Sequence, residues 1–361
     1  MLSLIFVWSV GGAAKAQPED SVDMVFYKAE VTMVDEPSEE GLQNVTVKIG
    51  NGDRFGEQLS FQHYATVYQT NDWLLRIGDD IYISVQNIDG QEQIAMTDYD
   101  RSFTYAYMAI LFVVVLVLVG MLSGLRALLG FGILSAVIGF YLIPQILSGN
   151  DPLTVIYLTA LIVVICLSIV LTGFNRKTLL IIGSSLFGLL VSSIIIFLFG
   201  YISNFNAIGL EESNMFAVST NLSGLNLLNI VYGGMLLGAL GAMMDVSMSI
   251  VAGVEELLQV NREKGARKIS QKDLFQSGLK IGREIMAVNA NTLLLAYIGS
   301  ALTLWLIALS QNIGWSVLIS FNMIFVEVLR IIGGTLGIFL SIPMTAWLAS
   351  KFLVFRRKFE Y

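Results

Sequence analysis

The chain has 361 residues, 55% of them hydrophobic and only 14% charged, with a mean hydropathy of +0.72. A soluble globular chain of this length is not so apolar, and runs of about twenty apolar residues recur, each long enough to cross a hydrocarbon core of roughly 30 Å. The formal charge of −7 is unevenly spread: acids dominate the N-terminal third, whereas the polar segments beyond it are mostly basic. A single cysteine, Cys166, excludes an intrachain disulfide, and a single histidine, His63, leaves no His-rich metal site and no Ser-His catalysis in the apolar part.

Residues 1–16, MLSLIFVWSVGGAAKA, form a short apolar stretch that ends Ala14-Lys15-Ala16. It reads either as a signal peptide with a small-x-small cleavage site or as a retained N-terminal anchor, and either sends the following segment outside the cytoplasm. Residues 17–103 are polar and acidic. Alternating β-branched and aromatic residues predict strands near Met24–Met33, Val45–Ile49, Gln58–Tyr64, Ile81–Val85 and Gln93–Met96, with turns at Asn51-Gly52 and Asp89-Gly90. Short strands of this kind fit a small extracytoplasmic β domain, an OB-like barrel or a sandwich. Its acidic balance argues against nucleic acid as a ligand. A structural module, or a surface for a protein partner, remains.

The rest predicts an all-α membrane bundle of seven or eight transmembrane helices. The expected crossings are Thr104–Leu122, Ala127–Leu147, Pro152–Gly173 and Thr178–Ile202, then, after an extracytoplasmic loop 203–223, Gly224–Val254, Asn291–Ser310 and Ile331–Leu348 within residues 224–350. Trp315–Arg330 carries Glu327 and Arg330 and reads as an interfacial or re-entrant helix, with Gly333-Gly334 marking a break before the last span. Lys and Arg fall only in alternate connections: Arg126, Arg176-Lys177, seven in the loop 255–290, and the tail 351–361. By the positive-inside rule the β domain lies outside, and that loop and the C-terminus lie in the cytoplasm. Within the loop, Leu274, Gly278, Ile281 and Ile285 oppose Lys280 and Arg283, a pattern for a helix lying on the inner leaflet or coupled to the preceding span.

The span 224–254 holds one carboxylate, Asp245. Helical spacing sets Gly234, Gly238, Gly241, Asp245, Ser249 and Ala252 along one stripe, and the last span repeats the pattern with Gly333 and Gly337. Small residues let helices approach closely in lipid, whereas an ionisable group inside a span is costly and marks a proton or ion path. Asp245 is thus the candidate proton relay if it lies at mid-depth, and a solvated boundary acid if the core begins at Leu225. Glu327 and Arg330, three apart, pair on one helical face or offer an external station. Asn291 and Thr292 cap the sixth span or line its mouth. No nucleotide loop, nucleophile elbow or metal-ligand cluster occurs, so no cofactor, no metal and no enzymatic activity are expected.

The blocks GALGAMMDVSMSI, SGLKIGREIMAVNANTLLLAYIGSAL and FVEVLRIIGGTLGIFLSIPMTA resemble the hallmark blocks of the YibE/F-like bacterial membrane proteins, over about residues 100–355. More distantly, a glycine-rich helix with an acid, a cytoplasmic segment and further spans resemble the C-terminal membrane half of resistance-nodulation-division transporters and of Sec export accessory proteins. There an acid of the corresponding helix takes part in proton relay, and Asp245 is the position that matches; the lysine that many of those transporters place on another span has no counterpart here. The resemblance implies a transporter or export-assisting protein of the bacterial cytoplasmic membrane, with protons or a small solute as its cargo. The alternative is a non-transporting scaffold whose β domain binds a partner while the bundle, in contact with the lipid bilayer, anchors it.

Overall fold

The computed structural model describes residues 24–38, 41–64, 74–88, 91–208, 210, 224–263, 269–310 and 314–355. The signal peptide or anchor expected at residues 1–16, the Asp89-Gly90 turn, most of the 203–223 connection and the end of the C-terminal tail lie outside them. The chain divides into two units, residues 1–115 and 116–361.

Five strands build the first unit: β1 (Met24–Val34), β2 (Leu42–Ile49), β3 (Gln58–Tyr64), β4 (Asp80–Ile88) and β5 (Gln91–Tyr99). Each follows a predicted strand; β3 has the predicted bounds, β1 gains one residue, and β2, β4 and β5 run a few residues further because backbone pairing continues past the apolar alternation. The strands pair antiparallel in the order β3-β2-β1-β4-β5, and β3 returns close to β5, so the sheet curls into a nearly closed barrel rather than a sandwich. Within that order β4-β1-β2-β3 is a Greek key. Alternate residues point inward: Tyr27, Ala29 and Val31; Val45, Val47 and Ile49; Phe61; Ile81, Ile83 and Val85. Asn51-Gly52 opens a longer β2–β3 loop instead of a two-residue hairpin. Gly52 adopts φ +77°, with the Tyr27 ring 3.1 Å from where a Cβ would stand.

Where β5 gives way to the first helix, Lys28 Nζ lies 2.6 Å from Asp100 Oδ2 and 3.7 Å from Asp80, and 5.6 Å from the Phe103 ring centroid. Asp100 also accepts from the Ser102 backbone N–H at 2.8 Å, which serves an otherwise unpaired donor of the helix start. Burial pushes the Asp100 carboxyl up, but the bonds from Lys28 and Ser102 outweigh it and hold the group below its usual range.

In helical order, α1 (Ser102–Val137) runs on through a π-helical turn, Ile138–Leu142, to Leu147. Then come α2 (Pro152–Thr172), α3 (Arg176–Ile202), α4 (Leu227–Glu263), α5 (Gln271–Ser300), α6 (Leu302–Ser310) and α7 (Asn322–Phe355). Among the described residues five helical runs are long and apolar enough to cross a membrane: Ser102–Leu147, Pro152–Thr172, Arg176–Ile202, Leu227–Asn261 and Asn322–Leu353. The 46-residue first run would extend about 69 Å if straight, more than twice the core, and its backbone breaks at Met121 (φ 47°, ψ −125°). That break falls where two crossings are expected to separate.

Three expectations need correction. Gly333-Gly334 does not break a helix: α7 is continuous, and both glycines sit where neighbours press in, a Cβ at Gly333 meeting Ile196 and one at Gly334 meeting Leu293 at 3.0 Å. Consequently Trp315–Arg330 is not one interfacial helix; Trp315–Leu318 forms a single turn, and Glu327 and Arg330 belong to α7. Asn291 and Thr292 cap nothing. Their helix starts at Gln271, well before them, where Ser270 accepts from the Asp273 N–H and Asp273 reciprocates, and Asn291–Ser310 is split between α5 and α6. The apolar face of α5 meets protein instead of lipid: Gly278 abuts Ala346, and Gly282 abuts Ile250 and Ile342.

At the centre of the helical unit α7 packs on α3, α4 and α5. Gly188 of α3 and Gly337 of α7 let those two backbones approach, a Cβ on either lying within 3.2 Å of the other's carbonyl oxygen.

Candidate functional site

Two polar contacts mark the ends of the α3–α4 pair. At one end Lys177 pairs with Glu255, and at the other the Asn229 amide donates to Asp151 Oδ1 at 3.1 Å. Met243 lies against Gly188 and Tyr232 against Gly200, so the two helices run antiparallel in constant register between those ends. On a helical rise of 1.5 Å, Asp245 is about 15 Å from the level of Glu255 and about 24 Å from that of Asn229. The two polar contacts thus bracket Asp245 along an apolar length of about 39 Å, longer than a hydrocarbon core of roughly 30 Å.

The face that Asp245 occupies is the opposite of what a close-packed seam implies. Along α4 the residues Met235, Leu236, Ala239, Leu240, Met243, Val246, Ser247, Ile250 and Val254 are buried in the bundle. Gly234, Gly238, Gly241, Asp245 and Ala252 are exposed, and a Cβ added at Gly234 or Gly241 would meet nothing. Gly333 and Gly337, on α7, do pack, and of the glycines in the α4 stripe only Gly238 meets a neighbour, the Tyr297 hydroxyl. The rest of the α4 stripe is open within the chain, not an intrachain joint. Among the described residues no cation lies within ion-pairing distance of the Asp245 carboxylate; Ser249 Oγ donates to its backbone carbonyl at 2.8 Å. Ser247, on the inner face, shares a 3.3 Å hydrogen bond with Thr345 of α7.

Glu327 and Arg330 form one pair on α7, Arg330 Nη1 donating to Oε1 at 3.0 Å and Oε2 at 3.3 Å. Arg330 is also stacked 5.4 Å from the centroid of Tyr297, a residue of α5 that sequence reasoning passed over. The Tyr297 hydroxyl reaches the stripe itself and stands where a Cβ on Gly238 would be. Gly238 is two helical turns from Asp245, about 10 Å along the axis. The only sequence signal was an amphipathic aromatic inside an apolar run, which propensity does not distinguish from packing. Asn291 and Thr292 are exposed on α5, within about a turn of the Asp245 level by the Gly238–Tyr297 and Gly253–Ile281 contacts; Thr292 Oγ1 donates back to the Val288 carbonyl. They are not brought against the Glu327–Arg330 pair.

Several long apolar helices, one of them carrying the exposed carboxylate Asp245, define a multi-pass membrane protein. The family model for YibE/F-like proteins matches residues 108–354, and the chain belongs to that family. No curated protein and no solved structure matches it.

Proposed function

We propose that the protein is a secondary transporter or export-assisting protein of the bacterial cytoplasmic membrane, driven by protons that load and unload Asp245. The observation that carries this reading is the setting of that carboxylate: within a long apolar helix, exposed on a stripe of side-chain-free positions, and without a cation partner among the described residues. A structural acid in lipid is normally paired or turned inward, because leaving it bare costs several kcal/mol. A carboxylate that takes and releases a proton needs the opposite, a surface that water or a moving partner reaches. The distant resemblance to resistance-nodulation-division and Sec accessory membrane domains supports the same role. In this reading the barrel lies outside, the ends near Lys177–Glu255 face the cytoplasm, and the Met121 break divides the first apolar run into two crossings, for a total of seven with the α5–α6 segment. An intramembrane protease would need a second carboxylate sharing a proton with Asp245, and Glu327 is already committed to Arg330.

The test is proton flux through purified protein in liposomes under an imposed pH gradient. Wild type dissipates the gradient, and Asp245→Asn lowers the rate by about a hundredfold while eluting as an intact protein. Equal rates in the two would refute the relay.

A scaffold reading draws on Phe55, Ile77 and Met33, which stand on the barrel surface more than half exposed. Loss of function on deleting residues 17–100, with tolerance at Asp245, would favour it.

A further inference from the structure

Glu327 is buried and the Tyr297 ring packs against the bundle's core, yet the Tyr297 hydroxyl ends on the Asp245 stripe. We infer that the Tyr297 hydroxyl is a relay group for Asp245, on the side of the membrane that holds the Asp151–Asn229 contact, and that Arg330 is its positioning residue. The inference rests on Asp245 being a proton relay.

Three observations meet here. The hydroxyl of Tyr297 occupies the space that Gly238 leaves empty, so the phenol crosses from α5 to the exposed stripe of α4. Arg330 covers the ring face at 5.4 Å and is itself held by Glu327, with its Nε buried and no acceptor on it. A guanidinium fixed by a carboxylate and held over the ring face restricts the orientations open to the tyrosine. Finally, from Gly238 the stripe continues through Gly241, an open position, to Asp245. A phenol carries both a donor and an acceptor on one oxygen. When the oxygen accepts a proton from the outer side, its own O–H bond breaks toward the stripe; one bond forms and one breaks, and the group ends as neutral phenol. Water along the open position at Gly241 carries the proton over the remaining distance of about 10 Å to the carboxylate. Arg330 gives up no proton, and Glu327 stays its counter-ion.

The experiment follows the carboxyl directly, so that no substrate is needed. Proteoliposomes sorted for barrel-outward orientation receive an external pH drop, and infrared difference spectroscopy follows the protonated-carboxyl C=O band. The band that Asp245→Asn removes identifies the residue. Tyr297→Phe keeps the ring and its stack and deletes one oxygen; its band rises about a hundredfold more slowly than in wild type. Arg330→Lys keeps the charge without the flat stack and slows the rise by about tenfold, while elution volume and thermal midpoint stay at the wild-type values in both. A Tyr297→Phe band that rises at the wild-type rate overturns the inference and leaves Asp245 as a relay reached by another route. A wild-type spectrum with no band assignable to Asp245 overturns the relay reading and this inference together. Should Tyr297→Phe fail to fold, Gly238→Ala displaces the hydroxyl from the α4 side and must slow the band as well; an unchanged rate there overturns the inference.

Discussion

At the residue scale the decisive feature is what surrounds a charge. Asp245 and Asp100 are both carboxylates in apolar settings, but their neighbours assign them opposite roles. Asp100 is satisfied: Lys28 pairs with it and the Ser102 N–H donates to it. Its pKa is depressed in the folded protein, so its contribution to stability is complete above the unfolded value of roughly 3.9 and is lost as pH falls through the folded pKa below that. Asp100→Asn is expected to cost about 1–2 kcal/mol at neutral pH and to flatten the acid limb. Amide hydrogen exchange of β1 and β4 in the full-length protein, corrected for the intrinsic rate at each pH, reads both effects. Among the described residues Asp245 has no such partners, and the same isosteric change there should leave stability unchanged or improve it, because a neutral amide costs less than a bare carboxylate in lipid. A thermal midpoint that falls by several degrees in Asp245→Asn would show the carboxylate to be structural.

Between helices, glycines divide into two kinds that sequence spacing treats alike. Gly188, Gly282, Gly333 and Gly337 each face a neighbour that a Cβ would strike, and these are the positions where α3, α5 and α7 close on one another. Gly337→Val overpacks the α3–α7 crossing and is expected to cost about 1–3 kcal/mol. Gly241, on the open stripe, has no such neighbour; Gly241→Ala should be neutral or gain up to about 1 kcal/mol from helix propensity. Thermal unfolding of the two variants in detergent measures the contrast, and a similar loss in both would mean that the stripe is packed after all. The same distinction explains why Gly333-Gly334 reads as a break from sequence and is continuous in space: glycine permits a bend and permits a close approach, and only the position of Ile196 and Leu293 selects between them.

For the whole molecule the open question is how the first apolar run threads the bilayer. With two crossings separated at Met121, Arg126 and the α4–α5 connection share a side and residue 51 of the barrel lies on the other. Single cysteines at 51, 126 and 272 in a Cys166→Ser background, labelled with a membrane-impermeant thiol reagent, should divide accordingly: 51 reacts in intact cells, 126 and 272 only after permeabilisation. Reaction of 126 from outside would make the run a single crossing.

Much of the architecture was legible in the residues. Period-two alternation located all five strands, since a strand with one buried face has no other way to distribute its apolar residues. Uninterrupted apolar length located the five long apolar helical runs, since backbone polar groups in lipid must be satisfied within the segment, but not the division of residues 291–310 between α5 and α6. Family membership was likewise readable, from blocks of local sequence. What only the tertiary structure decided is facing and contact. The apolar run of α4 is longer than a bilayer core, so no pattern along it fixes where Asp245 lies; the Lys177–Glu255 and Asp151–Asn229 contacts, each between residues far apart in sequence, bracket it from either side. Helical spacing defines a stripe but does not say which stripe is covered. Packing of α7 into the bundle left the Asp245 stripe open and brought Tyr297 to Gly238, because burial is a property of the neighbours that arrive and not of the helix that carries the residues.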